Sequence, residues 1–295
     1  MNPQPPPVCD YDGSDYQASF WEKGGRDYED LVEAVALQRL LPKAGQILLE
    51  VGAGAGRNTP RYQGFERIVL LDYSLTQLQQ AQARLGRSNR YTYVAANAYN
   101  LPFVAGLFDC ATMIRTLHHM SDAPLALAQI RQVLRPEAAF ILEYANKQNL
   151  KAILRYLLRR QSWSPFSRKP VEFVPLNFDF HPSSIREWLL REAFSIQRQL
   201  TVSHFRTAIL KRAIPLSLLV KMDSLAQLTG NLWQLTPSVF VKAQAVGNTP
   251  EAKEGQFFRC PQCNSLELVE TNSSLECTAC ARTWQICDGI YNFRD

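Results

Sequence analysis

Several things are scarce in this chain of 295 residues. No run of 18 apolar residues occurs anywhere, so no transmembrane helix is expected. The first seven residues, Met1 to Pro7, are polar and proline-rich and lack the basic start and apolar stretch of a secretory signal. A soluble, cytoplasmic protein is therefore expected. Histidine and methionine are rare at four each, and there are only seven cysteines. In a reducing compartment those thiols are better explained by metal ligation or core packing than by disulfides. Charge is also modest, with 32 Lys and Arg against 27 Asp and Glu. Against these shortages stands a 46% hydrophobic content, ample for a buried core. At roughly 150 residues per domain the length suggests about two domains.

Charge and cysteine are unevenly placed. Between Lys147 and Arg212 there are 13 basic and 4 acidic residues, so this stretch is strongly cationic and the remainder is slightly acidic. Cys9 and Cys110 stand alone, whereas Cys260, Cys263, Cys277, Cys280 and Cys287 crowd the last 36 residues. The small, polar run 246–255 between body and cysteine-rich end reads as a linker.

The body alternates strand-like and helix-like segments. A helix is predicted over Asp30 to Leu41, within an N-terminal segment 1–45. Apolar runs bounded by turn residues follow at Gln46 to Val51, Arg67 to Leu71, Tyr91 to Ala95, Phe108 to Ile114 and Ala138 to Tyr144. Leu75 to Leu85 and Pro124 to Leu134 separate them as helices, a βαβ pattern that implies an α/β fold with a parallel sheet. Phe194 to Val202 and Ser238 to Ala245 are strand-like and complete the sheet.

The first strand runs into Glu50-Val51-Gly52-Ala53-Gly54-Ala55-Gly56-Arg57. Glycines after a strand permit a tight turn and close approach of backbone N–H groups to a ligand. The third glycine of a dinucleotide fingerprint is replaced by Arg57, which disfavours a nicotinamide cofactor. Twenty residues after Gly52, Asp72 closes the second strand, where a carboxylate can accept both hydroxyls of a ribose. Loop and acid together indicate an adenosine-containing ligand, although either could be only a turn or a helix cap, with Ser74 the rival cap.

Over residues 46–145 these features resemble the class I S-adenosylmethionine-dependent methyltransferases. Glu50, Gly52, Ala53, Gly54 and Gly56 are similar to that family's first motif, and Asp72 with Tyr73 to its ribose-binding element. Ala96-Asn97-Ala98 before Leu101-Pro102-Phe103 resembles the third-strand signature, with Asn97 in place of the usual adenine-binding Asp; Asn97 and Ala98 are thereby implied at the adenine. Phe108-Asp109-Cys110 through Arg115 to Asp122 is similar to the fourth strand and its loop, which implies Arg115 at the cofactor. The resemblance implies a Rossmann-like seven-stranded sheet spanning 46–245, with a lid insertion over about 147–192 and a helical segment over about 207–235.

Methyl transfer from a sulfonium requires alignment and exclusion of water more than a base. His119, past the fourth strand, and His204, past a later strand, are the acid/base candidates; a loop histidine that only hydrogen-bonds is the plain alternative. His181, before Pro182, reads as a capping turn. Arg26 and Tyr28 are candidates for the cofactor carboxylate or plain surface residues. The basic stretch Lys151 to Arg160 carries an apolar stripe and suits a lid, an RNA-facing surface or a membrane-surface helix, with the lid favoured.

Cys260-x-x-Cys263 and Cys277-x-x-Cys280, 13 residues apart, provide four thiolates for a structural zinc ion. Together with Trp284 to Ile290 they resemble the small zinc-ribbon activator subunits of tRNA, rRNA and translation-factor methyltransferases, here fused as residues 256–295. That resemblance and the basic segment point to RNA or a translation component as acceptor. The alternatives are a small metabolite or lipid-like acceptor, and an inactive scaffold.

Overall fold

The computed structural model describes residues 6–13, 25–248 and 250–294. Parts of the expected N-terminal segment, 1–5 and 14–24, lie outside the described residues, as does Thr249 in the linker. Helix α1 (Asp27–Leu40) precedes a run of alternating elements: β1 (Gly45–Val51), β2 (Phe65–Asp72), α2 (Leu75–Leu85), β3 (Tyr91–Ala95), β4 (Phe108–Met113), α3 (Ala123–Val133) and β5 (Leu134–Ala145). Then come α4 (Leu150–Leu157), the hairpin β6 (Val171–Val174) and β7 (Asn177–Asp179), α5 (Pro182–Arg191) and β8 (Phe194–Val202). Helices α6 (Ala208–Ala213) and α7 (Leu216–Ala226) lead to β9 (Ser238–Ala245). Four short strands end the chain: β10 (Leu268–Glu270), β11 (Ser274–Cys277), β12 (Thr283–Cys287) and β13 (Ile290–Asn292).

The body strands are ordered β3-β2-β1-β4-β5-β9-β8. The first five run parallel, and β9 is antiparallel to both β5 and β8. Both faces are covered, which explains why β4 is buried at every position and reads as an uninterrupted apolar run. The helix starts follow local chemistry. Ser74 accepts the Gln77 N–H at 3.2 Å to cap α2, Asp122 accepts Leu125 N–H at 3.0 Å to cap α3, and the His181 ring accepts Ser183 N–H to cap α5. Helix α5 buries Ile185 and Leu189 in the main core, so it belongs to the body; the part of 147–192 that projects from it is α4 with the β6–β7 hairpin.

The cysteine-rich end is built into the same sheet. Strands β10 to β13 form an antiparallel meander, and β13 pairs in parallel with β3, Ile290 opposite Tyr93 and Asn292 opposite Ala95. The sheet thus becomes eleven-stranded and the β3 edge is closed by pairing. To reach that edge from β9, the linker crosses beneath the sheet. Ala252 N–H donates to Gly106 O at 3.2 Å and Val104 N–H to Phe257 O at 3.1 Å. Phe258 then stacks on Phe103 and meets Tyr291 and Phe293, so Leu275, Trp284 and Phe293 share a core with Leu101 and Phe103.

Candidate active site

The carboxyl ends of β1, β2, β3 and β4 converge on one pocket. Its walls include Gly52, Gly54, Asp72, Tyr73, Asn97 and Ala98. Arg115, Thr116, His119 and Met120 close another side. The loop after β1 is pinned by Gly52 N–H and Ala53 N–H donating to Leu71 O, and by Gly54 N–H donating to Asp72 Oδ2 at 2.8 Å. Gly52 has φ +69°, and a Cβ there would collide with Thr116. Asp72 also accepts the Ser74 N–H at 2.9 Å. Burial pushes its carboxyl up, and the N–H groups of Ser74, Gly54 and Tyr73 oppose that shift.

Not every residue of the first motif reaches the pocket. Ala53 points into the apolar core behind the loop, and Gly56 seats the loop against α2, where a Cβ would strike Leu85. Glu50 lies one layer below, accepting from Thr59 Oγ1 at 2.6 Å and Tyr62 OH at 3.2 Å. Complete burial raises its pKa to about 7 despite those hydrogen bonds and the nearby Arg57 and Arg61. A carboxyl whose folded pKa lies above its unfolded value contributes stability that is full below the unfolded value and lost as pH rises through the folded one. Glu50→Gln should therefore stabilise the fold at pH 8, by on the order of 3 kcal/mol at about 1.4 kcal/mol per pKa unit, and confer little at pH 4. Thermal melts of both proteins across that range check it.

The histidines separate. His119 lines the pocket with both ring nitrogens engaged: Nδ1–H donates to Leu176 O at 2.9 Å, and Nε2 accepts from Tyr11 OH at 3.1 Å. Burial lowers its pKa, with the Leu176 carbonyl opposing, so the ring is neutral at pH 7. His204 does not line the pocket; its Nδ1 meets Asp223 at 3.1 Å and its backbone N–H donates to the same carboxylate. Tyr28 donates to Asp223 at 2.6 Å and also lies off the pocket, as does Arg26. Arg115 has φ +56°, donates its backbone N–H to Glu143 and pairs with buried Glu33, which holds the guanidinium at the pocket wall.

The roof of the pocket carries no sequence motif. Val8, Cys9 and Tyr11 belong to an N-terminal arm that lies over the pocket. Asp12 anchors this arm, accepting from Ser74 Oγ at 2.7 Å, Thr76 N–H at 3.1 Å and Arg294 Nη1 at 2.7 Å. Partial burial works against the carboxylate, but Arg294 and Ser74 hold Asp12 down at about 2. Arg294 also donates to Tyr73 O, so the end of the chain fastens its beginning beside the pocket. No motif announces such a contact between residues 282 positions apart.

In the C-terminal module the ligand atoms of Cys260, Cys263, Cys277 and Cys280 all lie within 4.8 Å of one another. Cys260 and Cys280 sulfurs are 3.7 Å apart and those of Cys263 and Cys277 3.5 Å. The sulfur edge of a tetrahedron with Zn–S of about 2.3 Å is about 3.8 Å, so the cluster fits zinc. Cys287 is outside it and exposed, and Cys110 is a buried core thiol.

The doubly covered α/β sheet with one reversed strand, a glycine loop and a strand-end acid is a Rossmann-like architecture, and the four clustered cysteines belong to a small module added through a meander. Residues 49–142 match the family model described as a methyltransferase domain. Among curated proteins, the chain is 36% identical over 109 residues to the O-methyltransferase cnsE of Penicillium expansum, covering 35% of this chain and 40% of that one. It is 30% identical over 115 residues to the ubiquinone/menaquinone biosynthesis C-methyltransferase UbiE of Hahella chejuensis, covering 36% and 46%. The chain thus spans less than half the length of these relatives. Among solved structures, a chain of the complex between the Haloferax volcanii Trm112 methyltransferase activator and a methyltransferase superposes with TM-score 0.56 at 15% identity, over 79% of this chain and 96% of that one. Residues 49–142 thus match a methyltransferase domain, within a body whose fold is similar to that of the solved complex chain.

Proposed function

We propose that the protein transfers the methyl group of S-adenosylmethionine to a small, largely apolar acceptor. The observation that carries methyl transfer is the single pocket in which Gly52, Gly54, Asp72 and Asn97 converge. Asp72 would accept the ribose hydroxyls, Asn97 would meet the adenine, and Arg115 and Thr116 would face the methionine end. The cofactor supplies an activated methyl group, so the residues around it need only orient an acceptor and exclude water. Tyr11 and Met120 form the water-excluding roof and wall. His119 Nε2 could take a proton from an acceptor hydroxyl only after Tyr11 OH moves away. His204, bound to Asp223 off the pocket, would tie the end of β8 to α7 and not act on the acceptor.

The acceptor class is supported by the largely apolar lining of the pocket, with Val8, Cys9 and Tyr11 over it, and by the names of the relatives, O-methyltransferases and quinone C-methyltransferases. A second reading, an RNA or translation component, is favoured by the ribbon and by the likeness to the Trm112-containing complex. Cys260, Cys263, Cys277 and Cys280 would hold a zinc ion whose four thiolate ligands leave no open position, making its role structural. Arg294→Ala should loosen the arm and weaken S-adenosylmethionine binding about five-fold, near the ~1 kcal/mol of a partly buried ion pair; calorimetric titration checks it. The acceptor reading is tested by transfer of labelled methyl from the cofactor into cell fractions. Label in organic-soluble small molecules is expected, and label confined to RNA or protein would overturn it.

A further inference from the structure

Helix α4 is mounted with its apolar stripe facing outward. Leu150, Ile153, Leu154, Leu157 and Leu158 recur at the i, i+3, i+4, i+7, i+8 spacing that places them on one helical face. Such a face normally packs on the core. Here Leu157 is 65% exposed and Leu158 63%, while the residue buried against the body is Ala152, on the opposite side. The uncovered surface continues past the helix. Leu150 N–H donates to Leu235 O at 2.8 Å, which sets exposed Leu235 at the start of α4, and Leu232 and Trp233 just before it are 77% and 56% exposed. Tyr156 meets exposed Phe166 edge-on, and the β6–β7 hairpin adds exposed Phe173 and Val174. Exposed large apolar side chains grouped on neighbouring segments mark an interaction site.

Its charge identifies the occupant. Lys151 and Arg155 flank the stripe, Arg159 and Arg160 follow it, and Arg168 and Lys169 lie on the segment leading into the hairpin, all exposed. A leucine stripe bordered by basic residues, with Trp and Tyr at its margin, is the pattern of a helix that lies in a bilayer interface among anionic headgroups. No helix among the described residues is long and apolar enough to cross a membrane, so the contact would be interfacial. A second copy of the chain would bring like charges together across the patch, and a polynucleotide would leave the leucines uncovered.

We infer that α4, the 232–235 segment and the β6–β7 hairpin form a docking surface for membranes containing anionic lipid. The same hairpin supplies Leu176 O to His119, so the docking surface adjoins the His119 side of the pocket. This goes beyond the methyl-transfer reading and does not depend on which molecule is methylated.

Co-sedimentation of the full chain with vesicles tests it, using phosphatidylcholine alone and an equimolar mixture with phosphatidylglycerol. Binding should be at least ten-fold stronger to the mixed vesicles and should fall as salt is raised. Leu157→Glu with Leu158→Glu should abolish it, and Lys151→Glu with Arg155→Glu should reduce it about ten-fold, with S-adenosylmethionine binding retained in both as evidence of folding. Leu157→Ala with Leu158→Ala, which adds no charge, should weaken it less. Absence of binding to either vesicle would overturn the inference, as would binding that the leucine variants leave intact. So would a dimer that the leucine variants dissociate, or an RNA complex that depends on the basic residues without vesicle binding.

Discussion

Asp72→Ala is expected to weaken S-adenosylmethionine binding by two to three orders of magnitude while leaving the melting temperature within a few degrees of the parent. The carboxylate has two tasks. It accepts Gly54 N–H and Ser74 N–H, which ties the glycine loop to the start of α2, and it is the acid on the pocket wall to which the proposed function assigns the ribose. Hydrogen bonds to a charged acceptor are each worth about 1.5–3 kcal/mol, so losing a ribose pair alone would cost at least a hundred-fold. Asp72→Asn keeps one acceptor oxygen for the loop and should fall between the two. Equilibrium dialysis with labelled cofactor separates the three proteins. Equal affinity for parent and alanine variant would remove Asp72 from the site.

The second large effect is expected at the cysteine cluster, from the zinc ion proposed there. Stripping zinc, or replacing Cys277 with Ser, should lower the melting temperature by more than 10 °C and produce aggregation, because structural zinc sites contribute an apparent ~10–16 kcal/mol of folding free energy. The consequence reaches the body because the meander is part of its sheet. Losing it uncovers the β3 edge at Tyr93 to Ala95 and exposes Phe103, on which Phe258 stacks. An open strand edge beside an apolar surface is a template for aggregation. The arm would also lose Arg294, and with it one anchor of Asp12, so cofactor affinity should fall in the same titration. Metal content by atomic absorption, at one zinc per chain, should track both losses. A chain that keeps its melting temperature and its cofactor affinity without metal would contradict the structural role.

Local signals were the legible part. The strands β1 to β5 announce themselves as apolar runs between turn residues, and α2 was bounded correctly because Ser74 caps it and Gly86 ends it. Asp72 ends β2, Asn97 and Arg115 follow β3 and β4 by two residues, and His119 sits in the turn after β4, positions that a parallel sheet gathers on one pocket. Glu50 was not separable from its neighbours, since strand alternation decides which side it faces and both sides of a buried parallel strand are apolar. It turned toward Thr59 and Tyr62. His204 shared a strand-end position with His119, but buried Asp223 captured it. The arm, the Arg294 clamp and the β13–β3 pairing depend on contacts between distant parts of the chain, which neither periodicity nor spacing encodes.

The central claim is that the pocket at the ends of β1 to β4 binds S-adenosylmethionine. Isothermal titration of the zinc-loaded chain with S-adenosylmethionine measures this directly. Saturable binding at one site per chain is expected, competed by S-adenosylhomocysteine and not by NAD. No heat with S-adenosylmethionine, or preferential binding of NAD, would contradict it.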